Sequence, residues 1–183
     1  GDGGADVDVD DTRFDLEALD AHEARSTDPL PLSVLPAAFG GIPGLRVWEL
    51  PRAGEPYVMY SDTCEGLPTS DASPTVVLAP RRMQHVATIY GRLEPAALAD
   101  ASARLGMLYN RALWDIERNN HGHAVILAAR DIIKYPRLQM NADRDQTRSQ
   151  RLQGTAPSER HGLNITAQTK QLLVDDLADA IHS

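Results

Sequence analysis

The sequence predicts an α/β protein, a mixed sheet of an antiparallel three-strand meander plus parallel strands, flanked by helices. Three observations predict it. Runs at 57–62, 74–79 and 84–91 alternate apolar and polar residues as strands do and are bounded by Gly, Pro, Asp and Ser. Residues 94–108 open at Pro95 and carry Leu98, Ala101, Leu105 and Leu108 at helical spacing. That helix leads into a fourth alternating run at 113–117, which turns at once into the apolar helix 122–133.

Taken in order, residues 1–11 are acidic and Gly-rich and cannot bury enough apolar surface to order themselves. Phe14, Leu16, Ala18 and Leu19 suggest a short helix, and residues 26–44, rich in Pro and Gly, read as a linker. The fold proper is expected to begin near Leu45, with a strand over 45–50 and a turn at 51–54. The meander and the 94–108 helix follow. Helix 122–133 should end before Tyr135-Pro136, since the residue before proline is driven out of the helical region. Residues 138–140 suggest a short edge strand, 141–160 an exposed mobile loop, and 168–181 a last helix capped by Thr166, with Leu172, Leu173, Leu177 and Ile181 on one face.

Composition narrows the function. With 183 residues, one ordinary domain with an appended arm is expected. No apolar run approaches the ~20 residues of a membrane span, and Gly1-Asp2-Gly3-Gly4 lacks the features of a secretory signal, so a soluble intracellular chain is expected. Cys64 is the sole cysteine, which excludes an internal disulfide or cysteine zinc cluster and reads as a small semi-buried loop residue. The net charge of −8 comes wholly from residues 1–28, where ten acids face Arg13 and Arg25. The remainder is neutral, and residues 118–170 hold nine bases against four acids, an excess able to line a phosphate backbone or merely a solvated face.

The order of elements is that of the ribonuclease-H-like architecture. In that plan the strands over 57–62 and 113–117 lie side by side, bringing Asp62 and Glu117 together across 55 residues of sequence. Two carboxylates so close repel, and a divalent cation between them is the usual remedy. Hard oxygen ligands favour Mg²⁺ or Mn²⁺, and two such ions can support phosphodiester hydrolysis.

Further motifs carry a resemblance. YVMYSDTCEG at 57–66, Asp71-Ala72-Ser73, Tyr109-Asn110, IERNNHG at 116–122, Tyr135-Pro136 and GLNITAQTKQLLVDDL at 162–177 resemble the C-terminal nuclease domain of the large terminase subunit of tailed phages or prophages, over residues 45–183. The resemblance implies that Asp62 and Glu117 are two of three acids binding two catalytic Mg²⁺ or Mn²⁺ ions. It implies an endonuclease cutting concatemeric double-stranded DNA in the bacterial cytoplasm, partnered by a terminase ATPase domain, a small terminase subunit and a portal protein, with no membrane. Asp71, Arg118, Asn119, Asn120, His121 and Lys170 are candidates to support the acids or touch DNA, although Asp71, the asparagines and His121 also read as turn formers. Asp115, on the same face as Glu117, reads as a solvated neighbour, and Trp48 and Trp114 as core.

Two departures accompany the resemblance. The family's third acid belongs to a GxHDD-like motif on a later helix, and none occurs up to Ser183; Asp175 and Asp176 precede that place. The nuclease body is therefore expected to be truncated, and whether it cuts unaided depends on that acid. No GxxxxGK[ST] phosphate loop is present. Two rival readings remain: a DNA-holding or docking module without activity, and another nuclease of the superfamily, of resolvase or transposase type.

Overall fold

A computed structural model describes residues 14–64, 71–118, 121–142 and 159–182. Its elements are α1 (Leu16–Ala24), β1 (Leu45–Val47), β2 (Val58–Ser61), β3 (Ser73–Ala79), β4 (Gln84–Gly91), α2 (Pro95–Leu108), β5 (Leu113–Ile116), α3 (Gly122–Leu127), β6 (Met140–Ala142), β7 (Glu159–His161) and α4 (Ala167–His182). The chain divides into two units, Pro29–Asn164 and a second made of the residues up to Asp28 with those from Ile165.

In the larger unit the sheet runs β1-β4-β3-β2-β5, antiparallel throughout except for the parallel pair β2 and β5. This is the expected mixed sheet. Its centre is β3, whose Ser73, Thr75, Val77 and Ala79 all point into the interior while Pro74, Val76 and Leu78 point away. The predicted strand over 45–50 is shorter, because the amides of Trp48 and Glu49 both donate to the Val86 carbonyl and end regular pairing there. A register shift at Val77/Leu78 turns both Val86 and Ala87 inward.

Helix α2 packs on the inward face with Leu98, Ala99, Ala101, Ser102, Leu105 and Gly106. Beneath it runs a buried polar chain: the Trp114 indole donates to Ser61 Oγ at 2.9 Å, Ser61 bonds Thr75 at 2.7 Å, and Thr75 bonds Ser102 at 2.9 Å. β5, β2, β3 and α2 are thus joined through hydroxyls that would be costly to bury unpaired. Trp114 is fully buried, as expected; Trp48 instead lies at the margin against the His85 ring.

The predicted helix over 122–133 changes character at Leu127 and widens into a π turn, Ala128–Ile132, with the Ile133 amide bonded five residues back to Ala128. It stops where Lys134 adopts a left-handed conformation ahead of Tyr135-Pro136. The Tyr135 ring meets Trp114 edge-on and its hydroxyl donates to the Ala112 carbonyl.

The structure departs from expectation in three further places. Residues 29–44, expected as a linker, contribute Leu35, Phe39 and Ile42 to the core and lie in the larger unit; their apolar residues are spaced by 3₁₀ turns, which leave no helical or strand period to read. The edge strand expected at 138–140 is a single bridge from Leu138 to Trp114, after which β6 leaves to pair with β7. Residues 141–142 and 159–160, expected as loop, are therefore strand; 143–158 lie outside the described residues. The chain rejoins β5 through Leu163, which bonds Ile116 and Arg118.

In the smaller unit, Asp15 caps α1 by accepting from the Ala18 amide at 3.0 Å, and His22 Nε2 lies 3.2 Å from the Ile181 carbonyl of α4. Leu16, Leu173 and Leu177 are each about half exposed. Among the described residues, no helix is long and apolar enough to cross a membrane.

Candidate functional site

The parallel register pairs Val58 with Leu113, Met59 with Trp114, Tyr60 with Asp115 and Ser61 with Ile116. The next step brings Asp62 and Glu117 into neighbouring positions. The backbone fixes both: the Glu117 amide donates to the Ser61 carbonyl at 2.8 Å, and the Asp62 amide to Pro74 at 3.1 Å. Because side chains alternate, Tyr60 on β2 and Asp62 just past it share a face with Asp115 on β5 and Glu117 just past it, opposite the buried Ser61, Trp114 and Ile116. Unit charges one strand spacing apart, about 5 Å, repel by roughly 3 kcal/mol at an effective dielectric near 20.

The half-buried face changes the chemistry of its neighbours. The Tyr60 hydroxyl is buried with no hydrogen-bond partner among the described residues; burial, then the charges of Glu117, Asp62 and Asp115, hold its pKa far above the tyrosine range. Asp115 is not the solvated neighbour expected. Its carboxylate accepts from Asn141 Nδ2 at 3.0 and 3.2 Å and from the Ile116 amide at 3.0 Å, and burial raises its pKa against both bonds. Cys64 is the semi-buried loop residue expected. Burial, then the charge of Asp62, raises its thiol pKa, with smaller contributions from Asp71 and Glu117, so it is a poor nucleophile.

Two glycines set the backbone around Glu117. A β-carbon at Gly122 would overlap the Glu117 carbonyl and stand 3.1 Å from the Thr63 hydroxyl. Gly162 has φ +87, and a β-carbon there would come 2.8 Å from the Ile116 carbonyl. The close approach of the start of α3 to Glu117 therefore accounts for the glycine that ends the IERNNHG run.

The other candidates are dispersed. Asp71 is exposed beside the start of β3, near enough to act on Cys64. Arg118, just past β5, and His121, just before α3, are half-buried, the Arg118 amide donating to the Leu163 carbonyl at 2.7 Å. Asn119 and Asn120 lie outside the described residues. Lys170 is exposed on α4, in the other unit. Sequence reasoning places Asp115 on the face of Glu117 but misses Tyr60 and Asn141 as parts of it. Tyr60 follows from strand parity, whereas Asn141 reaches Asp115 from 26 residues away in sequence.

Among the described residues, no three histidine, cysteine or acidic side chains are arranged to hold a metal ion. The donors present are nevertheless of the right kind, because Mg²⁺ is commonly held by one or two carboxylates with waters and substrate phosphates completing its shell. Asp62 and Glu117 fit that pattern.

No protein-family model and no curated protein matches the sequence. Solved structures do match. The chain is similar to the large terminase nuclease of thermophilic phage G20c with bound magnesium, at 15% identity and a TM-score of 0.52 over 75% of this chain and 60% of that one. The cobalt-bound structure of the same nuclease gives the same values. The chain thus spans about 60% of the length of the structures it matches. At this identity the likeness is one of fold, and the chain has the ribonuclease-H-like fold seen in large terminase nucleases.

Proposed function

We propose that the chain is a metal-dependent DNA endonuclease domain of a viral genome-packaging terminase, with Asp62 and Glu117 holding the catalytic ions. The observation that carries this reading is the β2–β5 register, which sets the two acids at adjacent strand ends on one half-buried face. The likeness in fold to a magnesium-bound terminase nuclease supports it.

Two Mg²⁺ or Mn²⁺ ions, when bound, supply Lewis-acid activation of a water and charge stabilisation at the scissile phosphodiester. The chain's own part is to hold the two carboxylates rigidly, through the ladder bonds and the close approach of Gly122 to Glu117, and to keep Asp115 oriented by Asn141. Asp71, Asn119, Asn120 and His121 are the residues assigned to steady the acids or meet the DNA backbone, and Arg118 and Lys170 those assigned to meet the DNA backbone. The substrate is double-stranded DNA in the host cytoplasm; a terminase ATPase domain, a small subunit and a portal protein are its partners.

A DNA-holding module is the second reading, favoured by the lack of a three-ligand cluster among the described residues. Supercoiled plasmid nicked by the chain in Mg²⁺ or Mn²⁺, but not by Asp62→Ala or Glu117→Ala, supports the nuclease. Plasmid bound equally by all three proteins and nicked by none supports the holding module.

A further inference from the structure

At the other end of the β2–β5 pair, remote from the acids, lies a cleft of about 610 Å³ bordered by Arg81, Arg111, Arg137, Asn110, Glu55 and Met107. Its walls are the segments entering β2 and β5 and the turn leaving β3. The acids stand at the far ends of the same strands, so the two places are separate.

The cleft is strongly cationic. Among the described residues no carboxylate pairs with Arg81, Arg111 or Arg137. The one acid on its wall, Glu55, is already taken, bonded by Arg82 Nε at 2.8 Å and by the Tyr57 hydroxyl at 2.9 Å. Within the described residues, the charge of the three guanidinium groups is therefore uncompensated.

The wall is also held at conformational cost. Asn110 and Arg111 are consecutive residues with left-handed backbones, at φ 54 and 58. Asparagine tolerates that conformation; arginine has no local reason to adopt it. Asn110 Nδ2 donates to the carbonyls of Arg52 and Glu55 at 2.7 and 3.0 Å, and Arg137 donates to the Arg111 carbonyl at 3.2 Å. The turn is locked to the segment facing it across the cleft, and strain retained in this way is common at ligand sites.

We propose that this cleft is a binding site for a phosphate oxyanion, carried either by a nucleic-acid backbone or by a free phosphate compound. Guanidinium forks match phosphate geometry better than any other side chain. The site is independent of the nuclease reading and of any metal.

The test is titration in EDTA with two probes, pyrophosphate followed by calorimetry and a short labelled DNA duplex followed by anisotropy. The variant R81A/R111A/R137A is expected to bind pyrophosphate at least about tenfold more weakly, while Asp62→Ala/Glu117→Ala binds it as the unaltered chain does. The Arg81 side chain makes no hydrogen bond to another described residue, so its replacement leaves the turn's own bonds in place. Arg81→Gln should give a smaller loss in the same direction, and it guards against misfolding of the triple variant. Weakening for both probes identifies a general phosphate site, weakening for duplex alone identifies the polymer backbone as its ligand, and weakening for pyrophosphate alone identifies a free phosphate compound. Unchanged affinity for both probes in the variants, or no binding of either by the unaltered chain, overturns the proposal.

Discussion

Gly122 stands so close to Glu117 that a methyl group on its Cα would overlap the Glu117 carbonyl oxygen. The end of β5 and the start of α3 can lie this close only because position 122 has no side chain. Gly122→Ala should lower unfolding free energy by about 1–3 kcal/mol, as overpacking of a tight site does. Urea denaturation measures it; a variant as stable as its parent would show that this close approach relaxes freely.

The buried hydroxyl chain yields a second expectation. Ser61→Ala removes the acceptor of the Trp114 indole and the partner of Thr75. A buried donor left unpaired costs about 1–3 kcal/mol, and the loss should appear as a lower urea midpoint with an unchanged m-value. A change below about 0.5 kcal/mol would mean that water replaces the hydroxyl.

Tyr60→Phe should act in the opposite direction. Its hydroxyl is buried without a partner among the described residues, so its removal relieves a desolvation cost and leaves stability equal or up to about 1 kcal/mol higher. Destabilisation by the same amount would reveal a bonding partner in solution.

The Arg82 knot predicts a pH dependence. The hydrogen bond from Arg82 holds Glu55 below its ordinary pKa of 4.5, outweighing the opposing effect of burial. A carboxylate depressed on folding stabilises above its unfolded pKa, and that stability is lost as pH falls through the folded value. Glu55→Gln should therefore have a lower melting temperature than its parent at pH 7, and the gap should close as pH falls below 4.5. A gap independent of pH would assign the effect to packing.

Much of the fold is legible because its strands announce themselves by alternation and α2 by its helical period. The 84–91 strand matches its expected bounds to the last residue, and the side-by-side placing of the strands that lead to Asp62 and Glu117 follows from element order. What stays hidden lacks a local period. Leu35, Phe39 and Ile42 reach the core from 3₁₀ turns among prolines. β7 contributes only three residues, and its pairing with β6 is set by contacts distant in sequence. Asp115 looks like any polar strand residue until Asn141 and its half-buried face define it.

Asp62 and Glu117 are assigned to act together on a divalent ion, and titration of Mn²⁺ followed by loss of its free paramagnetic signal tests that without requiring turnover. Binding by the unaltered chain that falls at least about tenfold in both Asp62→Asn and Glu117→Gln is the expected result. Equal Mn²⁺ affinity in all three proteins, each folded by circular dichroism, would contradict it.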